Sequence, residues 1–180
     1  LANILTHAPK LDDLGICVDS DALTSLKNSP ALSHLTYLSV GNTNDRLKKN
    51  QIPDLATIAT SANTLDDLQI CVDPDALSSL KNSPALSKLT SLWVGNSSDR
   101  LKKNQIPDLA TIATSAHNLK TLKIFVDPVA LPSLKNSVDL SHLSYLWIGD
   151  YNDRLHKNQI SDLATIVSHA PNLEQLEIYV

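Results

Sequence analysis

Leu11-Asp-Asp-Leu-Gly-Ile-Cys-Val-Asp19 decides the fold of this chain, because it comes back. It returns as Leu65-Asp-Asp-Leu-Gln-Ile-Cys-Val-Asp73 and as Leu119-Lys-Thr-Leu-Lys-Ile-Phe-Val-Asp127, and a last copy runs from Leu173 to Val180. The step is 54 residues each time, and Asp45 to Ala62 matches Asp99 to Ala116 letter for letter. A fixed period of this size marks stacked units, each too small to close a hydrophobic core alone.

Each unit divides in two. One frame, Leu-x-x-Leu-x-Ile-x-Val, falls on Leu11, Leu14, Ile16 and Val18; a second, Leu-x-x-Leu-x-Val, falls on Leu35, Leu38 and Val40. Leu14 to Leu38 is 24 residues and Leu38 to Leu68 is 30, so a short and a long repeat alternate. Apolar residues at period two predict short strands with one buried face. Between them, Ala22, Leu23 and Leu26 mark a short helix, and Leu55, Ile58, Ala59 and Ala62 a longer one, at helical spacing.

These frames, with one strand and one helix in every 24 to 30 residues, resemble the leucine-rich repeat. The phrase Leu163-Ala-Thr-Ile-Val-Ser-His-Ala-Pro-Asn-Leu-Glu-Gln-Leu-Glu-Ile is similar to the helix-containing subclass, of the ribonuclease-inhibitor-like and F-box type. The resemblance covers the whole chain. It implies an α/β horseshoe solenoid, with a curved parallel sheet of seven strands on the concave face and helices on the convex face. Residues 1–180 then form a single domain of alternating 24- and 30-residue repeats. The chain departs from the family in having no regular Asn or Cys ladder after the strands.

Composition agrees with an elongated single domain. Hydrophobic residues make up 42% of 180, mostly Leu, Ile, Val and Ala at fixed places, and no linker-like stretch interrupts them. A net charge of −4 is too mild to name a partner. No apolar run reaches membrane-spanning length, and no signal peptide is visible. Leu1 to Ala8 aligns with Leu55 to Ala62, and Val180 falls inside a strand frame, so neither end reads as a polar cap. The expectation is a piece of a longer protein, natural or engineered.

Cys17 and Cys71 sit one period apart. In one parallel sheet they would lie two strands apart, roughly 9–10 Å, beyond the reach of about 7 Å that a disulfide allows. Two unpaired thiols favour a cytoplasmic or nuclear location. The sequon Asn96-Ser-Ser98 argues weakly the other way.

Several polar residues are explained by the scaffold. Asp19, Asp73 and Asp127 each follow a long-frame strand, and Asp73 and Asp127 precede Pro, the grammar of a helix start rather than of a metal site. The six histidines, His7, His34, His117, His142, His156 and His169, make no metal-ligand spacing. No nucleophile elbow and no phosphate-cradling loop is present, so no enzyme and no cofactor is expected. A basic loop recurs at Asp45 to Asn50, Asp99 to Asn104 and Asp153 to Asn158, stacking Arg46, Arg100 and Arg154 beside Lys49, Lys103 and Lys157. Each loop carries its own Asp and no aromatic platform, which favours local ion pairs over a nucleic-acid surface.

In leucine-rich repeats the residues alternating with the buried strand positions point to the concave face. Here they are Asp13, Gly15 and Cys17; Asp67, Gln69 and Cys71; Thr121, Lys123 and Phe125; and Gln175, Glu177 and Tyr179. The short strands add Tyr37 and Ser39, Ser91 and Trp93, and Tyr145 and Trp147. These columns change between copies while the Leu/Ile/Val columns hardly do. Six of the seven aromatics (all but Tyr151) fall on them, and exposed rings at such a place mark a binding patch.

The expected function is therefore non-catalytic recognition of a protein partner on the aromatic-rich concave face. The expected contact residues are Tyr37, Trp93, Lys123, Phe125, Tyr145, Trp147, Glu177 and Tyr179, with Asp67 joining Lys123 and Glu177 in tuning charge. Nucleic acid is disfavoured and the oligomeric state is left open. One rival is a glycan or small ligand stacking on Trp93 and Trp147. Another is a purely structural or engineered array, in which cross-strand rings only stabilise the sheet.

Overall fold

The computed structural model describes residues 13–135, 138–149 and 159–178. Seven strands lie in one all-parallel sheet whose spatial order is the order of the chain. They are β1 (Leu14–Val18), β2 (Leu35–Val40), β3 (Asp67–Val72), β4 (Leu89–Val94), β5 (Thr121–Ile124), β6 (Tyr145–Ile148) and β7 (Gln175–Ile178). Six α-helices alternate with them: α1 (Leu23–Leu26), α2 (Ile52–Ser61), α3 (Leu77–Leu80), α4 (Ile106–Ser115), α5 (Leu131–Leu134) and α6 (Ile160–Ser168). The architecture is α/β and compatible with a repeat solenoid. Sequential parallel order follows from the short crossovers, since each helix returns the chain to the strand just laid down.

The core lies between sheet and helices. Leu38, Leu68, Leu92, Leu122 and Leu146 are fully buried, as are Leu55, Ile58, Leu109 and Ile112 from the longer helices. Helix starts are built from the sequence as read. Pro53 and Pro107 stand in the first turns of α2 and α4, where no N–H is missed. Ahead of them, Gln51 and Gln105 accept from the backbone N–H of Lys48 and Lys102 at 2.8 Å. Their amides reach into the preceding unit, Gln51 to Asp21 at 3.0 Å and Gln105 to Asp75 at 2.7 Å.

Asp19, Asp73 and Asp127 stand at the N-cap positions of short 3₁₀ turns that lead into α1, α3 and α5. Only the Asp127 side chain caps its own turn, accepting from Val129 N–H at 3.1 Å. Asp73 is drawn instead to the Arg46 guanidinium at 2.6 Å. Arg46 also reaches Asp99 at 3.6 Å and donates to the Thr43 carbonyl. The first basic loop is thus a tie between units. Leu47 and Leu101 of these loops are fully buried and bridge to Val72 and Val126. Arg154 and Lys157 lie outside the described residues, as do His7, His156 and Tyr151.

A second tie, which sequence reading missed, recurs on the helical side. Lys27 pairs with Asp54, Lys81 with Asp108 and Lys135 with Asp162, each at 2.5 Å. Each pair joins a short helix to the longer helix that follows it.

The 24-residue step predicts one strand register, with Leu14 opposite Leu38 and its copies alike; only the third unit keeps it, and the first two are shifted by two residues at Leu14/Gly15 and Leu68/Gln69. Ile16 faces Leu38 and Ile70 faces Leu92, but Leu122, the counterpart of Leu14 and Leu68, faces Leu146. Hydrogen bonds record the same slip of two residues. Gly41 donates to Val18 and Gly95 to Val72, yet Gly149 donates to Ile124, not to Val126. Two substitutions accompany the third unit's different register. Phe125 stands where Cys17 and Cys71 do; in the earlier register, which puts Cys71 opposite Trp93, it would face Trp147 directly. Val138 stands where Pro30 and Pro84 begin 3₁₀ turns in the first two units. Without that proline the hand-over to β6 takes another form, with Asp139 accepting from Ser141 N–H at 3.0 Å.

Candidate recognition surface

The sheet face turned away from the helices carries the alternating side chains. One row of paired residues runs Cys71, Trp93, Lys123, Trp147 and Glu177 across β3 to β7. The next runs Cys17, Ser39, Gln69, Ser91, Thr121, Tyr145 and Gln175. Tyr37 lies between Gly15 and Asp67. Seven of the eight expected contact residues thus fall on one face, and the eighth, Tyr179, lies outside the described residues. In these rows Lys123 is the one cation among the described residues.

The rings do not form an open row of exposed anchors. Phe125 is 8% and Trp147 4% exposed, their centroids 4.6 Å apart with planes inclined by 51°. That pair forms a floor. Trp93, Tyr145 and Tyr37 are half-buried. The Lys123 ammonium sits over the Trp93 ring at 4.0 Å from its centre and over Tyr145 at 5.0 Å. A cation in this position gains about 0.5–1 kcal/mol at an exposed site and more as water leaves. The expectation that all these rings face solvent is therefore corrected. Ring–ring contact helps bury Phe125 and Trp147, the Lys123 ammonium lies over Trp93 and Tyr145, and a hollow lined by Trp93, Lys123, Tyr145, Glu177 and Thr43 remains above.

Trp93 also borders a second hollow, lined by Ser39, Gly41, Asn42, Gln69 and Cys71. Burial pushes the Cys71 thiol up to about 12, so it is a neutral wall rather than a nucleophile. Ser39, Asn42 and Gln69 were not singled out as site residues. Their signal was available, since Ser39 and Gln69 occupy the alternating columns. A third, hydrophilic hollow lies at the other side of Gln69, with Asp66, Asp67, Thr90 and Lys120. Asp67 is held there by the hydroxyl of Thr90 and by the Gln69 amide.

Asn96 of the sequon is engaged at both ends of its amide. It accepts from Ser98 and Asp99 N–H at 2.9 Å and donates to the Thr43 carbonyl at 3.1 Å. Both cysteines are free, Cys17 exposed and Cys71 buried. Among the described residues, no group of three or more His, Cys, Asp or Glu side chains could hold a metal ion, and no helix is long and apolar enough to cross a membrane. No protein-family model matches the chain, and no curated protein matches it.

Proposed function

We propose that the chain is a leucine-rich-repeat horseshoe that recognises a protein partner, without catalysis, through its non-helical sheet face. The observation that carries this reading is the Trp93–Lys123–Tyr145 cluster. Large rings and a cation stand half-buried on the open face while the core is filled by Leu, Ile, Val and Ala alone. Partly covered rings around a central cation are what interface anchors look like before a partner removes the remaining water. The buried Phe125–Trp147 pair stiffens the base on which they stand, so little side-chain entropy remains to be lost on binding. Lys123 between rings, with Glu177 further along the row and Asp67 beside Tyr37, gives the face a charge pattern that selects among partners.

The test compares three proteins as bait in an extract of the source cells: the native chain, Trp93→Ala/Tyr145→Ala, and Lys102→Ala/Lys103→Ala away from the sheet face. A protein held by the first and third but lost by the second supports the reading. Equal recovery by all three sinks it.

The second hollow favours another reading at the same ring. Ser39, Asn42 and Gln69 beside the Trp93 face supply the hydroxyl and amide groups that a sugar would use. Trp93 fluorescence quenched by free saccharides would favour that ligand over a protein.

A further inference from the structure

Three departures from the repeat meet at one spot on the third unit. His117 stands where Asn63 stands one period earlier, and His142 where Lys88 does. Asp139 replaces Ala31 and Ala85. His117 lies between α4 and β5, and His142 just ahead of β6. The fold brings the two imidazoles together, with ring centres 5.9 Å apart and planes inclined by 78°. Both residues are exposed. The backbone beneath them is fixed. Leu119 N–H donates to the Ala116 carbonyl at 2.9 Å and closes the turn that carries His117; Leu143 N–H donates to the Leu140 carbonyl at 3.1 Å and closes the one that carries His142. Three residues beyond each histidine, Tyr145 N–H donates to the Lys120 carbonyl at 3.0 Å and ties the two segments together. On the flanks, Asn118 donates to the Ser87 carbonyl at 2.8 Å and Asn172 to the Ser141 carbonyl at 2.7 Å. The pair therefore sits inside the array, with a unit bonded to it on either side.

We infer that His117 and His142 together bind one divalent late transition-metal ion, copper, nickel or zinc. Imidazole nitrogen is the donor such ions take readily, whereas magnesium and calcium keep to oxygen. Nitrogens at about 2.0–2.1 Å from one ion set two ring centres roughly 4.5–6.4 Å apart, according to the angle at the metal. The observed 5.9 Å falls within that span. Rings packed edge to face do not yet aim their nitrogens at one point. The last torsion of histidine is broad, however, and both rings have water around them, so a turn of the rings on the fixed backbone suffices. Asp139 adds charge of the right sign. Its carboxylate accepts from Ser141 N–H at 3.0 Å; Ser141 first, and then the charges of His142 and His117, hold its carboxyl below the ordinary 3.8. Among the described residues no third His, Cys, Asp or Glu side chain joins the pair as a ligand. Two protein ligands are fewer than structural or catalytic zinc sites gather, so water fills the other positions and the ion exchanges.

The experiment titrates Cu²⁺ into the untagged 180-residue chain, followed by calorimetry and by electron paramagnetic resonance, beside His117→Asn, His142→Lys and His169→Asn. The first two variants restore residues that the same columns hold one period earlier, so the scaffold already accepts them. Far-UV circular dichroism checks that each variant is folded. In the native chain the first equivalent of Cu²⁺ is expected to couple to two imidazole nitrogens. His117→Asn and His142→Lys should each weaken binding of that equivalent at least about tenfold, a loss that even an outer partner of a metal ligand can cause. His169→Asn removes another exposed imidazole and should bind as the native chain does. Zn²⁺ should compete for the site and excess Mg²⁺ should not. Unchanged affinity in either His117→Asn or His142→Lys overturns the proposal, as does an equal loss from His169→Asn. Coupling to a single nitrogen in the native chain would overturn the shared ion.

Discussion

Phe125 rests against Trp147 with ring centroids 4.6 Å apart, although the residue that faces Trp147 across the strands is Lys123. The two rings meet on a diagonal because the third unit lacks the two-residue register shift of the first two. A direct row would have set Phe125 where Cys71 sits opposite Trp93. The unshifted register thereby does two things at once. It seats the aromatic pair below the surface, and it brings Lys123 between Trp93 and Trp147, over the rings of Trp93 and Tyr145.

The two tryptophans should report different surroundings. Trp147 is 4% exposed and Trp93 half-buried. Trp93→Phe should leave a blue-shifted emission that iodide hardly quenches, and Trp147→Phe a redder one that iodide quenches readily. Phe125→Ala should cost about 3 kcal/mol in urea unfolding, at the low end for a buried ring because the site borders open space. Similar quenching in the two tryptophan variants would contradict the floor-and-rim arrangement.

Only part of this was legible in the sequence. The period gave the seven strands, their sequential order and the alternation of faces, because a parallel stack leaves one strand little freedom once its neighbour is fixed. Leu47 and Leu101 are buried in loops that read as polar, since one bridge to Val72 or Val126 outweighs the charged residues around each. The shift of the first two units, at Leu14/Gly15 and Leu68/Gln69, could not be read from spacing. Its absence at β5 goes with a ring at 125 that the shifted register would set opposite the ring at 147, a matter of volume between two strands that no single-strand pattern contains. The Lys–Asp ties were visible as columns that never change, yet a constant charged column on an exposed helix looks the same whether or not its partner is within reach.

Those ties carry a pH dependence. Hydrogen bonds from Lys27 and then Thr24 hold the Asp54 carboxyl below its ordinary value of 3.8. A depressed folded value means that the ion pair stabilises fully above pH 3.8 and is lost as pH falls through the lowered value. Asp54→Asn should cost about 1 kcal/mol at neutral pH, as partly exposed pairs do. The gap between native and variant should close in acid. A gap that stays constant down through pH 3.8 would assign the loss to packing instead.

The thiols should differ in the same protein. Cys17 is exposed and should react with a disulfide reagent at neutral pH; Cys71, buried, should react only after unfolding. The sign for stability is opposite to that of Asp54. Burial raises the Cys71 value from 9.0 to about 12, so its contribution is complete below pH 9.0 and is lost as pH climbs from there towards 12. Cys71→Ala should lack this alkaline component, and its thermal midpoint should fall less than that of the native chain over the same range.

Gly41 and Gly95 close β2 and β4 with φ of +77°, and a Cβ on either would stand 2.4 Å from a backbone oxygen, that of Asp45 or Asp99. Left-handed backbone alone costs a side-chain-bearing residue about 1–2 kcal/mol. The contact adds to this, because a carbonyl in a turn cannot swing aside as a side chain can. It belongs to the turn in which Asn42 and Asn96 donate to those same oxygens, at 2.9 and 3.1 Å. Gly95→Ala should therefore loosen the loop that holds Asn96 against Thr43 and move the Thr43 wall of the hollow over Trp93. It should destabilise the chain by at least about 2 kcal/mol and make Trp93 more accessible to iodide, whereas Gly15→Ala, whose new atom meets only the Tyr37 side chain at 3.5 Å, should be nearly neutral. Equal losses from the two alanines would mean that the turn, and not the space beside its carbonyl, tolerates the change.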